Sequence, residues 1–141
     1  MKRYEFLKHT ADVAVRVFGR SLKDLFGSAA LAMFAVLLEK TKNRPGAALT
    51  EKEISVCGET SEDLLKAWLD ELLFCYSVEH LVLVRVKSIE VAAQEMRAFV
   101  LFDAFNREYY AVRDEVKAVT YHELEVKKVR NRWQAHMIFD V

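Results

Sequence analysis

Asp140 and Val141 end the chain as an aspartate beside a terminal carboxylate. Both groups are hard oxygen donors, and like charges so close repel unless a cation joins them. Asp12 stands near the other end, just ahead of an alternating apolar run. If a strand pairing set Asp12 alongside, three anionic groups would share one place. Such a set suits a hard divalent ion, Ca²⁺ or Mg²⁺, which takes oxygen ligands and keeps water in its remaining positions. Spacing alone does not bring the two ends together, and the plainer reading of Asp140 is a solvated terminus.

Other residues have competing readings. His9 and Thr10 precede Asp12 and could position a site at a strand start, or simply make turn hydrogen bonds. His122 alternates with Leu124 and Val126, which predicts a histidine at the core edge; His80 and His136 are expected at the surface. The four histidines and two cysteines show no zinc spacing. No phosphate-binding Gly-rich loop, dinucleotide fingerprint or G-x-S-x-G is present. Lys117, Lys127, Lys128, Arg130 and Arg132 cluster about the last hairpin and could touch phosphates or an acidic partner, although Glu115, Glu123 and Glu125 dilute them. Asp70 and Glu71 share a helix with Trp68 and read as its charged outer face, not as an acid and base. Cys57 and Cys75 read as small buried hydrophobes in a reducing compartment.

The elements that must position these residues follow from periodicity. Residues 4–8 form a short strand candidate. At 12–19, Val13, Val15 and Val17 take one face, and Asp12, Ala14 and Arg16 the other. Ser21 and Asp24 read as a capping box opening an amphipathic helix to about residue 39. The loop at 40–49 holds the only proline, Pro45, with Gly46. A strand at 51–58 turns in Ile54 and Val56. Thr60 and Asp63 cap a second helix, striped by Leu64, Leu65, Trp68, Leu69, Leu72, Leu73 and Tyr76 and fading at 78–80. Strands are expected at 81–91, 96–105 and 109–112, then a long one at 118–129, a turn at 129–132 and a closing strand at 133–141. In that last strand Asp140 shares the more polar face with Gln134, His136 and Ile138. The order predicts one α+β domain over residues 1–141, with antiparallel sheets and two amphipathic helices packed on one side.

Composition sets the outer bounds. Of 141 residues, 52% are hydrophobic and 30% charged, as in a soluble globular chain. Lys plus Arg equals Asp plus Glu at 21 each, so no global field holds nucleic acid or an anionic membrane. The N-terminus has no signal-peptide pattern, and no apolar run would span a bilayer. A cytoplasmic protein without a membrane partner is expected.

Four stretches in order, H-T-A-D-V at 9–13, W-L-D-E-L-L-F at 68–74, V-K-A-V-T-Y-H-E-L-E-V at 116–126 and I-F-D-V at 138–141, resemble the archease family. The resemblance spans nearly the whole chain. It implies an archease-like fold and a non-enzymatic activator of RtcB-type RNA ligase in tRNA splicing and RNA repair. Such an activator promotes ligase guanylylation and multiple turnover, and meets RNA only through the ligase. It further implies a divalent metal, commonly calcium, held by Asp12, Asp140 and the backbone or terminal carboxylate of Val141. His9, Lys117 and His122 are then candidates to support that site or face the partner. Lys8 stands where the family usually has an acidic residue. Two alternatives stay open: a chaperone-like modulator of other RNA-processing enzymes, and a small metal-dependent hydrolase with His9 as base.

Overall fold

The alternating stretches near the two ends of the chain become neighbouring strands, and the rest of the molecule is arranged around them. The computed structural model describes residues 1–7 and 12–141. Lys8, His9, Thr10 and Ala11 lie outside the described residues, and so does most of the H-T-A-D stretch. β1 (Tyr4–Leu7), β2 (Val13–Gly19), β8 (Ala118–Val119), β9 (Glu125–Val129) and β10 (Arg132–Asp140) build a five-stranded sheet. β2 lies between β1 and β10, while β8 and β9 both pair with the far edge of β10. All of these pairings are antiparallel.

β4 (Thr50–Cys57), β5 (Leu81–Val91) and β6 (Glu95–Ala104) form a second sheet in the order β4-β6-β5. A two-stranded ladder, β3 (Leu38–Lys40) on β7 (Tyr110–Val112), sits apart from both. α1 (Leu22–Leu37) packs on β2 and β5, and α2 (Ser61–Ser77) packs on β4 and β5. The α+β expectation therefore holds, with both helices on antiparallel sheet.

Both helices begin as their caps predict. Ser21 Oγ accepts the Asp24 N–H at 3.2 Å, and Thr60 Oγ1 accepts the Asp63 N–H at 3.1 Å. The α1 cap departs from a reciprocal box, because Asp24 Oδ2 accepts the N–H of Arg20 at 2.9 Å and its other oxygen takes Arg3 at 2.7 Å. Burial pushes the Asp24 carboxyl up, but these donors outweigh it and leave it below the usual carboxylate range. Gly19 closes β2 against the helix. A Cβ there would sit 2.3 Å from the Leu25 backbone nitrogen, so the close approach of strand and helix requires glycine.

The core lies between the sheets and the helices, with Phe26, Trp68, Phe102 and Phe139 among its largest fully buried side chains. Trp68 Nε1–H donates to the Phe26 carbonyl at 2.9 Å, which satisfies the indole and locks α2 to α1. α1 stops two residues short of the expected end. Leu38 is extended, with φ of −160°, and Leu38 to Lys40 pair with β7 instead of completing another turn. Cys75 is buried as expected, and burial pushes its thiol up to about 11, which keeps it an inert thiol. Cys57 is exposed, contrary to expectation, because it is the last residue of β4 and passes outside the core.

The long strand expected at 118–129 is interrupted. Val119 faces Phe139 and Glu125 faces His136. Five residues thus separate the two positions on one side and two on the other, so three residues are extruded from the ladder. The break lies at Tyr121, His122 and Glu123, and Glu123 takes a left-handed φ of 54°. His122 is accordingly exposed, not at the core edge, and it has no hydrogen-bond partner among the described residues.

Candidate metal centre

β2 and β10 run antiparallel from Gly19 opposite Trp133 to Val13 opposite Phe139. One position further along this register come Asp12 and Asp140. The ladder itself ends at Val13 opposite Phe139, and Asp12 stands in a bend just outside β2, so the register brings the two strand ends together without pairing the two aspartates. The face of Asp140 is the more polar one at this point: Asp140 is exposed, while its neighbours Phe139 and Ile138 are buried. Ile138 shows that this face is also covered, one step in from the end. The acidic pair therefore sits at the boundary between covered sheet and solvent.

Asp140 does not fray. It pairs with Ala118 of β8, and its carbonyl accepts the Lys117 N–H at 2.7 Å. Thr120 holds the next stretch of β10, its N–H and hydroxyl both donating to the Ile138 carbonyl at 3.2 Å. Val141 turns its side chain to the core and packs against it, which fixes the backbone oxygens of the last residue beside Asp140. Lys117 is exposed and one register step beyond Ala118, alongside Val141. The structure places Asp140, Val141 and the Lys117 backbone together at the end of β10, with Asp12 next beyond the last β2–β10 pair, whereas His122 belongs to the extruded segment. His9 falls outside the described residues.

Among the described residues no three His, Cys, Asp or Glu side chains converge as a ready-made cluster. The oxygens near this strand end are two side-chain carboxylates and those of Val141, and the Asp140 carbonyl accepts the Lys117 N–H. Such a set fits a hard, oxygen-preferring cation and supplies only part of its shell; it does not fit a thiolate or imidazole metal.

A second polar centre escaped the sequence. Asp103 of β6 is 3% exposed and holds Arg44 at 3.0 Å through Oδ1 and the Tyr110 hydroxyl at 2.7 Å through Oδ2. Arg44 also lies over the Tyr109 ring, 5.1 Å from its centroid. The cluster ties the 41–49 loop to β6 and β7. Burial, then the hydrogen bond to Asp103, pushes the Tyr110 phenol up to about 12. None of its buried side-chain polar atoms lacks a hydrogen-bond partner, which marks it as structural. Nothing in local spacing signals it, because Arg44 and Asp103 meet only through tertiary contact.

A small α+β domain with an acidic corner at adjoining strand ends is the class defined so far. The profile of the archease protein family matches residues 4–141, and the chain belongs to that family. It is 34% identical to the protein archease of Methanosarcina acetivorans over 99% of this chain and 97% of that one. It is 33% identical to the Pyrococcus abyssi archease over the full length of both. A Methanobacterium thermoautotrophicum protein solved in solution superposes over all of both chains, with a TM-score of 0.83 and 32% identity. A Thermotoga maritima archease, described as a possible chaperone, shares the fold at a TM-score of 0.60 and 21% identity, over 96% of this chain and 94% of that one.

Proposed function

We propose that this protein is a non-enzymatic activator of an RtcB-type RNA ligase, acting in tRNA splicing and RNA repair through its acidic corner. The observation that supports the reading is the β2–β10 pairing, which ends at Val13 opposite Phe139 and leaves Asp12 and Asp140 as the next residues beyond that last pair. Membership of the archease family supports it.

Asp12, Asp140 and the oxygens of Val141 would hold a divalent cation, calcium in the first instance. When bound, that ion offsets the repulsion between the carboxylates and offers open coordination positions to groups of the ligase. The chain's own part is to hold the corner rigid. Lys117 fixes the Asp140 carbonyl, Val141 is anchored in the core, and β8 closes the edge of β10. A preorganised corner loses little conformational entropy on docking. An activator of this kind works by binding the guanylylation-competent ligase more tightly than the incompetent one.

The test mixes a catalytic amount of ligase with excess RNA ends and GTP, with and without this protein. Repeated turnover only in its presence is expected; equal turnover without it would sink the reading. A second reading, a chaperone-like modulator of other RNA-processing enzymes, draws on the description of the Thermotoga maritima relative. Affinity capture from cells separates the two, because the first requires the ligase to dominate the recovered partners.

A further inference from the structure

The β2–β10 pair carries the opposite charge at its other end. One position beyond Gly19 and Trp133 stand Arg20 and Arg132, and the two-residue turn between β9 and β10 adds Arg130. Arg20, Arg130, Asn131 and Arg132 line one open depression with Met1 and Val129.

Three observations set this cluster apart. Among the described residues, Arg20, Arg130 and Arg132 form no ion pair with a carboxylate, nor do the scattered Arg85 and Arg107, whereas Arg3, Arg16, Arg44, Arg97 and Arg113 each do. Asp24 feels the charge of Arg20 but is committed to Arg3. Arg130 occupies a left-handed φ of 58° at a turn position where glycine or asparagine would fit without strain. The Arg132 guanidinium lies over the Phe18 ring, 4.6 Å from the centroid, a contact that uses its face and not its N–H donors.

Like charges gathered on one depression repel, and an anion bound between them relieves that repulsion. Guanidinium forks match phosphate oxygens in pairs. The depression lacks the aromatic or aliphatic centre on which protein interfaces are built, its apolar lining being only Met1 and half-buried Val129. A repeating phosphate ligand fits it better than a protein does.

We infer that this end of the sheet binds the phosphodiester backbone of an RNA strand directly. The choice of RNA among phosphate polymers rests on the proposed function; the recognition of phosphate does not. Binding is independent of base sequence, since the contacts available are to backbone phosphates.

The test is fluorescence anisotropy of a short labelled RNA strand with this protein alone, from 50 to 200 mM salt. Expected is binding that weakens with salt along a log–log slope of about −2, from about −0.7 per phosphate neutralised. R20Q/R130Q alters two exposed side chains outside the acidic corner. It should weaken binding about tenfold and flatten the slope by about 1.4, with an unchanged circular dichroism spectrum. R20K/R130K should restore most of the salt slope. Equal affinity for DNA of the same sequence supports backbone recognition, and tighter DNA binding overturns the choice of RNA. Absence of RNA binding at 50 mM salt, or binding unchanged in R20Q/R130Q, overturns the inference. So does a result in which R20Q/R130Q loses only capture of the ligase, which would make the patch a protein-docking surface. No ligase is present in the anisotropy assay, so its failure leaves ligase activation standing. Unchanged ligase turnover, conversely, leaves RNA binding standing.

Discussion

Asp140 is the residue on which the proposed activity turns most sharply. Losing one charged ligand costs about 1.5–3 kcal/mol, or roughly 10- to 150-fold in affinity. Asp140→Ala should therefore weaken calcium binding, measured by titration calorimetry, by that factor and abolish ligase activation at matched protein. Its exposed position predicts less than about 0.5 kcal/mol of change in the stability of the metal-free protein. Calcium should then raise the melting temperature of the wild type and not of Asp140→Ala, because an ion that binds only the folded state stabilises it by mass action. Normal calcium binding by Asp140→Ala would remove this residue from the site. Residues appended after Val141 displace the terminal carboxylate and leave Asp140 in place. They should weaken both calcium binding and activation while the melting temperature in chelator stays the same. The polar-face posture of Asp12 and Asp140 was legible in the sequence, since alternation assigns faces reliably. Their neighbourhood was not, because alternation within each strand says nothing of which strands pair.

Among the elements, the ladder of β8 and β9 teaches most about legibility. Its apolar phase changes between Val119, which faces Phe139, and Val126, which faces Ala135. The two valines lie an odd number of residues apart, so one uninterrupted strand cannot turn both to the core. That parity was available in the sequence and was masked by the clean alternation of Glu123 to Lys127. The extruded segment and the start of β9 both lean on α2. The Tyr121 hydroxyl donates to Asp63 Oδ1 at 2.9 Å, Lys66 lies over the Tyr121 ring, and the Val126 N–H donates to Glu62 Oε2 at 2.9 Å. On its other side, His136 Nδ1 lies 3.0 Å from the Glu123 carbonyl, so that nitrogen carries the hydrogen.

The β6–β7 region gives two predictions of its own. Asp103→Ala leaves Arg44 and the Tyr110 hydroxyl without their shared partner. It should cost about 3 kcal/mol and lower the melting temperature by about 10 °C by calorimetry. Retention of wild-type stability would show that water replaces the carboxylate at no cost. Tyr110 also makes stability depend on alkaline pH. Its phenol is held at about 12, above the ordinary 10.0, so the folded state keeps a proton that the unfolded chain gives up. The stabilisation is complete below about pH 10 and is lost as pH rises toward 12. Tyr110→Phe lacks this term. The gap in urea midpoint between wild type and Tyr110→Phe should shrink across that window, and a constant gap would contradict it.

At the scale of the whole molecule, Arg130 poses a choice between stability and surface chemistry. Replacing it with glycine relieves the left-handed backbone strain and should raise stability by about 1 kcal/mol in chemical denaturation. No gain would mean that the turn accommodates arginine without strain. No helix among the described residues is long and apolar enough to cross a membrane. The two ends of β10 are held by one continuous, hydrogen-bonded strand from Arg132 to Asp140. Eight residue steps at about 3.3 Å make a rod of about 26 Å. Paired with β2 from Trp133 to Phe139 and with β9 and β8 at its two ends on the other edge, that rod cannot shorten without breaking its ladder to β2. The protein is thereby a ruler: whatever meets the acidic corner is separated from whatever meets the arginines by a fixed span. If the proposed activation and RNA binding both hold, an RNA strand that reaches both marks must have several nucleotides between them.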